Sequence, residues 1–290
     1  MSVLAASGLG KRYGRHWALR DCTLDIPAGR VVGLVGPNGA EKTTLLSLAS
    51  GQLTASTGSI RVLGEQPGSG TAQLARVGFV AQGTPTYDRL SVTDHLRLGM
   101  KLNPRWDHQL AEDRVRELGL PLGRLASRLS GGQRAQLALT LGIAKRPDLL
   151  ILDEPVAALD PLARREFLQG LMSAVAEQGL SVILSSHLVS DLERVCDYLV
   201  LLADARVRLA GDVASDHEEH GVRRQLASRG ILIGKGRAGT QSVVAGEVVQ
   251  VARKPLLRRQ VNARRRQPTR CLRPLAAGVD DQLSRQLAVR

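Results

Sequence analysis

A glycine-rich segment near the start of the chain constrains the fold more than any other feature. It reads Gly36-Pro37-Asn38-Gly39-Ala40-Glu41-Lys42-Thr43, follows the β-branched run 31–35, and precedes the apolar pair Leu45-Leu46. A strand, a glycine-rich turn and a helix in this order cradle phosphate groups on backbone N–H donors. The usual pattern has a second glycine where Glu41 stands. The sequence therefore predicts a phosphate-binding loop with one irregular position.

Two further motifs follow the loop. Residues 129–133 read LSGGQ, and Asp153-Glu154 follow the apolar run 149–152. An acidic pair can simply cap a surface strand, but its place behind the loop and the LSGGQ turn favours a nucleotide site. Ser130 and Gly132 offer a hydroxyl and backbone N–H groups at a helix start, which suits an anion.

Composition limits the remaining possibilities. The chain has 290 residues, of which 43% are hydrophobic, so it can build a substantial core. Cys22, Cys196 and Cys271 show no metal-ligand or disulfide spacing, which fits a reducing cytoplasm. We expect no secretory signal and no membrane-spanning segment. Any membrane role must therefore come through a partner.

The positive charge is concentrated in the last quarter of the chain. Residues 216–290 hold 16 of the 40 lysines and arginines but 6 of the 27 aspartates and glutamates, and no aromatic residue. Such a segment has little with which to build a core. We predict that residues 1–214 form one domain and that 215–290 are a disordered or poorly packed tail, either frame-shifted or divergent. A small regulatory domain is the alternative, and a protease-resistant fragment containing 230–290 would establish it.

The order of elements predicts an α/β fold with a helical insertion. Strands are expected at 22–26, 30–35, 59–63, 77–81, 149–152, 181–185, 198–202 and 206–209, and helices at 42–50, 107–118, 161–176 and 188–196. Ser91 is expected to cap another helix, and the helix from LSGGQ is expected to end at Ala144. A helical insertion over about 90–146, inside a mostly parallel sheet, follows from this order.

These motifs together resemble the nucleotide-binding subunit of ABC transporters over residues 3–211. Ala5–Ile26, with Lys11-Arg12-Tyr13-Gly14, and Leu149–Pro161 resemble the bacterial drug-exporter branch most. The resemblance implies a P-loop NTPase core with a RecA-like, mostly parallel sheet, an antiparallel β subdomain and an inserted α-helical subdomain.

The resemblance also implies the cofactors ATP and Mg²⁺ and a role for each site residue. Glu154 is the general base, His187 bonds the γ-phosphate, and Gln82 senses the metal and the γ-phosphate. Thr43, Gln82 and Asp153 hold the metal, with Asp153 acting through water. Tyr13 stacks on adenine, unless it is only a surface tyrosine on a hairpin. The other ATP-binding residues are those of the loop and its helix start: Gly36, Pro37, Asn38, Gly39, Ala40, Glu41, Lys42, Thr43 and Thr44.

The implied partners are a second copy and a membrane permease. The signature residues Leu129, Ser130, Gly131, Gly132 and Gln133 would contact the nucleotide of the other copy. Asp160 would likewise reach across the dimer. Gln82–Leu98 and the helical insertion would dock on the permease, placing the protein at the inner face of the cell membrane. His95 and His108 carry no partner pattern and are expected at the surface.

Three functions stay open. The chain is an energy-coupling ATPase of an exporter, a soluble ABC-type ATPase acting on nucleic acid or ribosomes, or a catalytically weak regulatory subunit. Proteins of the second class usually carry two sets of nucleotide-binding motifs or a long coiled coil. Neither feature is evident in this sequence, which argues against a nucleic-acid partner.

Glu41 is expected to weaken nucleotide binding. At about 5 Å from one phosphate charge, with an effective dielectric of about 20, its repulsion is roughly 3 kcal/mol, or about two decades in affinity. Glutamate is a good helix former and is expected in the first helical turn, so the fold should survive. An outward-facing, accommodated side chain is the alternative.

Overall fold

The computed structural model describes residues 1–213, 233–235 and 241–243. Its strands are β1 (Ser2–Tyr13), β2 (His16–Pro27), β3 (Val31–Val35), β4 (Thr57–Val62), β5 (Val77–Val80), β6 (Leu149–Leu152), β7 (Ser181–Ser186), β8 (Tyr198–Ala203), β9 (Arg206–Asp212), β10 (Ile233–Lys235) and β11 (Gln241–Val243). Its helices are α1 (Lys42–Ala49), α2 (Thr71–Ala75), α3 (Val92–Leu102), α4 (His108–Glu117), α5 (Gly131–Ala144), α6 (Pro161–Gln178) and α7 (Val189–Leu192).

The centre of the fold is a six-stranded sheet in the order β5-β6-β7-β3-β8-β9. Adjacent strands from β5 to β8 are parallel, and β9 is antiparallel at the edge. Strands β3, β6 and β7 are buried along their whole length. This explains their continuous apolar or small-residue sequences, since a parallel sheet is covered on both faces. The predicted parallel core is confirmed.

A second, antiparallel sheet covers one side of the core. Its order is β2-β1-β4, and β10 pairs with β11 in a separate two-stranded sheet. Apolar residues of β1, β2 and α1 form one cluster with one face of the six-stranded sheet, while α5 and α6 cover the other face. The antiparallel β subdomain that the resemblance implied is therefore present.

The segment between β5 and β6 is helical, as predicted. Helices α3, α4 and α5 enclose a separate small core around Val92, Leu96 and Leu137. Ser91 begins α3 in a reciprocal pair of hydrogen bonds with Asp94, and the Asp107 side chain accepts from the Leu110 N–H at the start of α4. The predicted cap at Ser91 is confirmed, and α4 begins directly after Asp107, close to its predicted start.

Several expectations need correction. The helix predicted over 188–196 ends at Leu192, because the chain turns there to bring Cys196 against Gly33 before β8 begins. Strand β1 and helix α2 were not predicted. Apart from β10 and β11, the proposed tail lies outside the described residues. Within the described residues, no helix is both long and apolar enough to cross a bilayer.

The expectation for His95 was wrong. Its side chain is buried, with Nε2 accepting from the Tyr87 N–H at 3.0 Å and Nδ1 lying 2.8 Å from the Ser91 carbonyl oxygen. His108 is half-exposed, as expected. His95 thus ties the loop before α3 to the cap of that helix.

Candidate functional site

The glycine-rich loop and the predicted catalytic residues come together because of the sheet topology. Strands β3, β5, β6 and β7 are parallel neighbours, so their carboxyl ends meet at one edge of the sheet. The glycine-rich loop follows β3, Gln82 follows β5, the acidic pair follows β6, and His187 follows β7. Ligands of open α/β sheets bind outside the carboxyl ends of the strands.

A cleft of about 360 Å³ lies at this edge. Its lining joins four separate segments of the chain, and every lining residue was predicted from the sequence. The lining residues are Asn38, Gly39, Glu41, Lys42, Thr43, Gln82, Glu154 and His187.

Two glycines let the loop approach the sheet and turn. Gly36 has no room for a side chain, since a Cβ there would collide with the Leu202 carbonyl oxygen. Gly39 has φ +79°, a conformation that L side chains rarely adopt. The loop shape therefore depends on glycine at these two positions.

Lys42 is the cation of the cleft. It is the first residue of α1, and only 5% of its side chain is exposed. Its ammonium donates to the carbonyl oxygens of Gly36 and Pro37 at 3.0 and 3.4 Å, and lies 3.2 Å from Glu154 Oε1. The ammonium thus points back over its own loop and faces Glu154, which follows β6, two strands away from β3 in the sheet.

Glu154 connects this cation to the histidine. Its second oxygen, Oε2, lies 3.2 Å from His187 Nδ1. Its backbone has φ +43° and donates to the Ser185 hydroxyl at 2.8 Å. Ser185 in turn donates to Asp153 Oδ1 at 2.7 Å. These contacts hold Glu154 in the lining of the cleft and connect it, through Ser185, to the buried Asp153.

Ser185 was not recognised from the sequence. It lies in the run Ser185-Ser186 before His187, and two hydroxyls at the end of a buried strand are the one signal that could have revealed it. Buried hydroxyls need hydrogen-bond partners, and Asp153 provides one.

Glu41 differs from expectation. It lies just before α1 rather than in its first turn, in a left-handed conformation with φ 61° and ψ 33°. Glu41 is a lining residue of the cleft, and its carboxylate accepts from the Thr44 hydroxyl at 2.8 Å. The irregular position therefore combines a negative charge with a backbone conformation that costs a non-glycine residue about 1–2 kcal/mol.

The LSGGQ turn begins α5 and does not line the cleft. The Ser130 hydroxyl accepts from the Gln133 N–H at 3.1 Å, and the Gln133 side chain accepts from the Ser130 N–H at 3.0 Å. Asp160 caps α6 by accepting from two backbone N–H groups, each at 3.0 Å. A Cβ on Gly132 would lie 3.0 Å from Ala163 Cβ, so the starts of α5 and α6 are neighbours.

Tyr13 also lies outside the cleft lining. It ends β1, is 48% exposed, and has the Lys11 ammonium 5.3 Å from its ring centroid. An exposed ring beside a cation is open to stacking, so an adenine contact stays a prediction.

The fold and the cleft define a nucleotide-binding P-loop domain of the α/β type. Residues 19–157 match the family described as ABC transporter. The chain therefore contains an ABC transporter ATP-binding domain.

The chain is similar to curated import proteins over most of its described length. It is 34% identical over 218 residues to the sulfate/thiosulfate import ATP-binding protein CysA of Burkholderia mallei, covering 72% of this chain and 62% of that protein. It is 32% identical over 214 residues to the protein of the same name from Yersinia pseudotuberculosis, covering 71% and 59%. The chain thus spans about 60% of the length of these relatives.

A solved structure described as the ATP binding subunit of an ABC transporter has the same fold. It is 27% identical, with a TM-score of 0.67, and the match covers 79% of this chain and 95% of that one. The predicted fold class is therefore confirmed.

Proposed function

We propose that this chain binds Mg-ATP, hydrolyses it, and so drives a membrane ABC transporter. The observation that carries the proposal is the meeting of Lys42, Thr43, Gln82, Glu154 and His187 in one cleft. A cation, a hydroxyl, an amide, a carboxylate and an imidazole are the groups that phosphoryl transfer to water uses.

Lys42 and Glu154 would change partners when a nucleotide binds. Lys42 lies 3.2 Å from Glu154 and at comparable distances from its own loop carbonyls. Triphosphate oxygens carry more negative charge than these partners and would draw the ammonium away. Glu154 would then be free to accept a proton from the attacking water, with His187 beside it to bond the γ-phosphate.

The metal would be held by oxygen atoms of the cleft. The Thr43 hydroxyl and the Gln82 amide are hard oxygen donors of the kind that Mg²⁺ prefers, and both line the cleft. Bound there, the ion would neutralise charge on the transferring phosphoryl group. Asp153 is 1% exposed and bonded to Ser185, so its contact to the metal would run through water.

The complete site needs a second copy of the chain. The LSGGQ turn offers N–H groups at a helix start yet lies outside the cleft. A second copy could place its turn over the nucleotide, and Asp160 lies close enough to that turn to join the interface. A permease would dock at Gln82–Leu98 and the helical insertion, keeping the protein at the inner face of the membrane.

The direction of transport has two candidates. The drug-exporter role rests on the resemblance of Ala5–Ile26 and Leu149–Pro161 to that branch. Import is favoured by the names of the relatives from Burkholderia mallei and Yersinia pseudotuberculosis. Proteoliposomes with this chain and its permease, cleft side outward, would separate them. ATP-driven accumulation of a fluorescent apolar cation indicates export, and ATP-driven loss of preloaded labelled sulfate indicates import.

Hydrolysis itself is tested by phosphate release from the full chain. Glu154→Gln should lower the rate by about 10²–10⁴-fold while Mg-ATP binding persists, because only the proton acceptor is lost. Lys42→Ala should weaken binding as well. If both variants release phosphate at the native rate, any activity comes from a contaminant and the proposal is wrong. The native rate is expected to be low, because Glu41 opposes the phosphates.

A further inference from the structure

A second, smaller pocket lies between the start of α6 and α7. Its volume is about 200 Å³, and three arginines dominate its lining: Arg164, Arg165 and Arg194. Ser190 and Asp191 supply its other polar groups. The pocket therefore has three cationic groups and one acidic group at its wall.

The Arg164 guanidinium makes few hydrogen bonds, and those it makes are long. It is mostly buried, with one N–H 3.4 Å from Asp191 Oδ1 and another 3.4 Å from the Leu159 carbonyl oxygen. Both contacts are longer than ordinary N–H···O bonds, and a guanidinium has five N–H donors. Its Nε is buried with no hydrogen-bond partner among the described residues. Arg164 can thus bind a further anion without losing a strong bond.

The other two arginines are exposed and face the same pocket. Within residues 1–213, neither Arg165 nor Arg194 has a carboxylate oxygen within 4.0 Å. Asp191 already contacts Arg164 and lies 3.5 Å from the Ser186 hydroxyl. The positive charge of the pocket is therefore not balanced by its own side chains.

We propose that this pocket binds a tetrahedral dianion such as phosphate or sulfate. Arginine forks match the oxygen geometry of such ions and bind them through paired, charge-assisted hydrogen bonds. The volume suits one ion of this kind, because pockets for drug-sized ligands and cofactors measure about 300–1,000 Å³.

The bound anion would act on His187 through Asp191. An anion on Arg164 competes with the Asp191 carboxylate for the guanidinium. Asp191 also contacts Ser186, whose hydroxyl accepts from the Leu188 N–H at 3.0 Å, and these residues flank His187. Binding of the ion does not depend on the proposed function, whereas this effect on hydrolysis rests on it.

The binding test uses the full chain with Lys42→Ala, which removes phosphate binding at the glycine-rich loop. Inorganic phosphate and sulfate are titrated calorimetrically at a constant ionic strength of about 0.15 M set with chloride. Adding R165A/R194A should weaken phosphate binding at least about tenfold, since two charge-assisted contacts are lost. R116A/R208A removes the same charge from other exposed sites and should change nothing. Equal affinities in the two double variants, or no binding with Lys42→Ala alone, would overturn the proposal.

The effect on hydrolysis is measured with sulfate, which is not a product. Sulfate at a concentration that just saturates the chain with native arginines should change its rate of ATP hydrolysis at least about twofold. The change should be smaller in R165A/R194A, where the ion binds the pocket more weakly. Equal responses overturn the coupling to His187. A chain that binds sulfate at the arginines but hydrolyses no ATP supports the pocket and contradicts the proposed function.

Discussion

Glu41 occupies a left-handed position, 2.8 Å from the Thr44 hydroxyl and on the wall of the cleft. The effects of its backbone strain and of its charge can be tested separately. Glu41→Gly removes both, so we expect Mg-ATP affinity to rise by about tenfold to a hundredfold. The strain relief of about 1–2 kcal/mol is partly offset by the entropy of glycine in the unfolded chain. Equilibrium binding of Mg-ATP and urea unfolding measure the two effects.

Glu41→Gln isolates the charge at this position. It keeps a side chain of the same size and the same left-handed backbone. If charge repulsion dominates, this variant should recover most of the affinity gained by Glu41→Gly, with little change in stability. Mg-ATP affinities of the native chain and Glu41→Gly that agree within about threefold would show that the site accommodates glutamate.

The candidate site was predictable because its motifs end consecutive parallel strands. Lys42, Gln82, Glu154 and His187 were assigned from spacing and resemblance, and the sheet order brings them together. The backbone conformation of Glu41 was not predicted. The glycine usual at this position was interpreted as leaving space for the phosphates, and not as the residue best suited to a positive φ. Ser185 was missed because its role appears only when β6 and β7 lie side by side.

At the scale of the elements, a buried histidine connects the loop after β5 to helix α3. His95→Ala would leave the Tyr87 N–H without its acceptor and open a cavity. We expect a loss of about 2–4 kcal/mol in the free energy of unfolding, measured by urea titration. His108→Ala, at a half-exposed position, is the control and should change stability by less than about 0.5 kcal/mol. A similar small loss for both variants would contradict the buried role of His95.

A second prediction concerns Asp107, which caps α4. Its carboxylate accepts from the Leu110 N–H at 2.9 Å and from Arg146 at 2.6 and 3.0 Å. The Leu110 hydrogen bond, with help from Arg146, lowers the pKa of Asp107. A lowered pKa in the folded state stabilises the fold above the unfolded value of about 3.9, and this stability disappears as pH falls through the folded value.

Asp107→Ala should therefore cost about 1–2 kcal/mol at pH 7 and progressively less below about pH 4. Asp107→Asn keeps an acceptor for Leu110 but loses the charge that faces Arg146, so its cost should be smaller. Urea unfolding from pH 7 to pH 2 measures both variants. A cost for Asp107→Ala that is independent of pH would contradict the stabilising role of the Asp107 charge.

Long, regular elements were predictable, and irregular ones were not. The helices that begin at Ser91 and Ser130 carry clear caps and apolar spacing. Strand β1 contains Ala5-Ala6 and two glycines, so its local sequence is a weak strand signal, yet it pairs with both β2 and β4. Helix α7 ends early because of packing between Cys196 and Gly33, which no local pattern reveals.

At the scale of the whole molecule, the proposed site takes its cleft from one copy of the chain and its LSGGQ turn from a second copy. A substitution at Gly131 tests this arrangement. A Cβ added there would meet no atom within 4 Å, and the φ of Gly131 does not require glycine. Gly131→Ala should fold at least as stably as the native chain, since alanine is the better helix former by about 1 kcal/mol. The same Cβ would obstruct an approach of the turn to phosphate oxygens of a partner's nucleotide.

The test uses a background of Glu41→Gly with Glu154→Gln, so that ATP binds but is not consumed. In this background Mg-ATP should convert the chain to a dimer in size-exclusion chromatography with light scattering. Adding Gly131→Ala should lower the dimer affinity at least about tenfold while ATP affinity of the single copy stays unchanged. Gly123→Ala, another glycine with open space around it, should leave the dimer intact. Because Gly131→Ala favours the helix yet opposes the dimer, a parallel gain in stability and loss of dimer can come only from an interface at the turn. Dimerisation unchanged by Gly131→Ala would place the interface elsewhere.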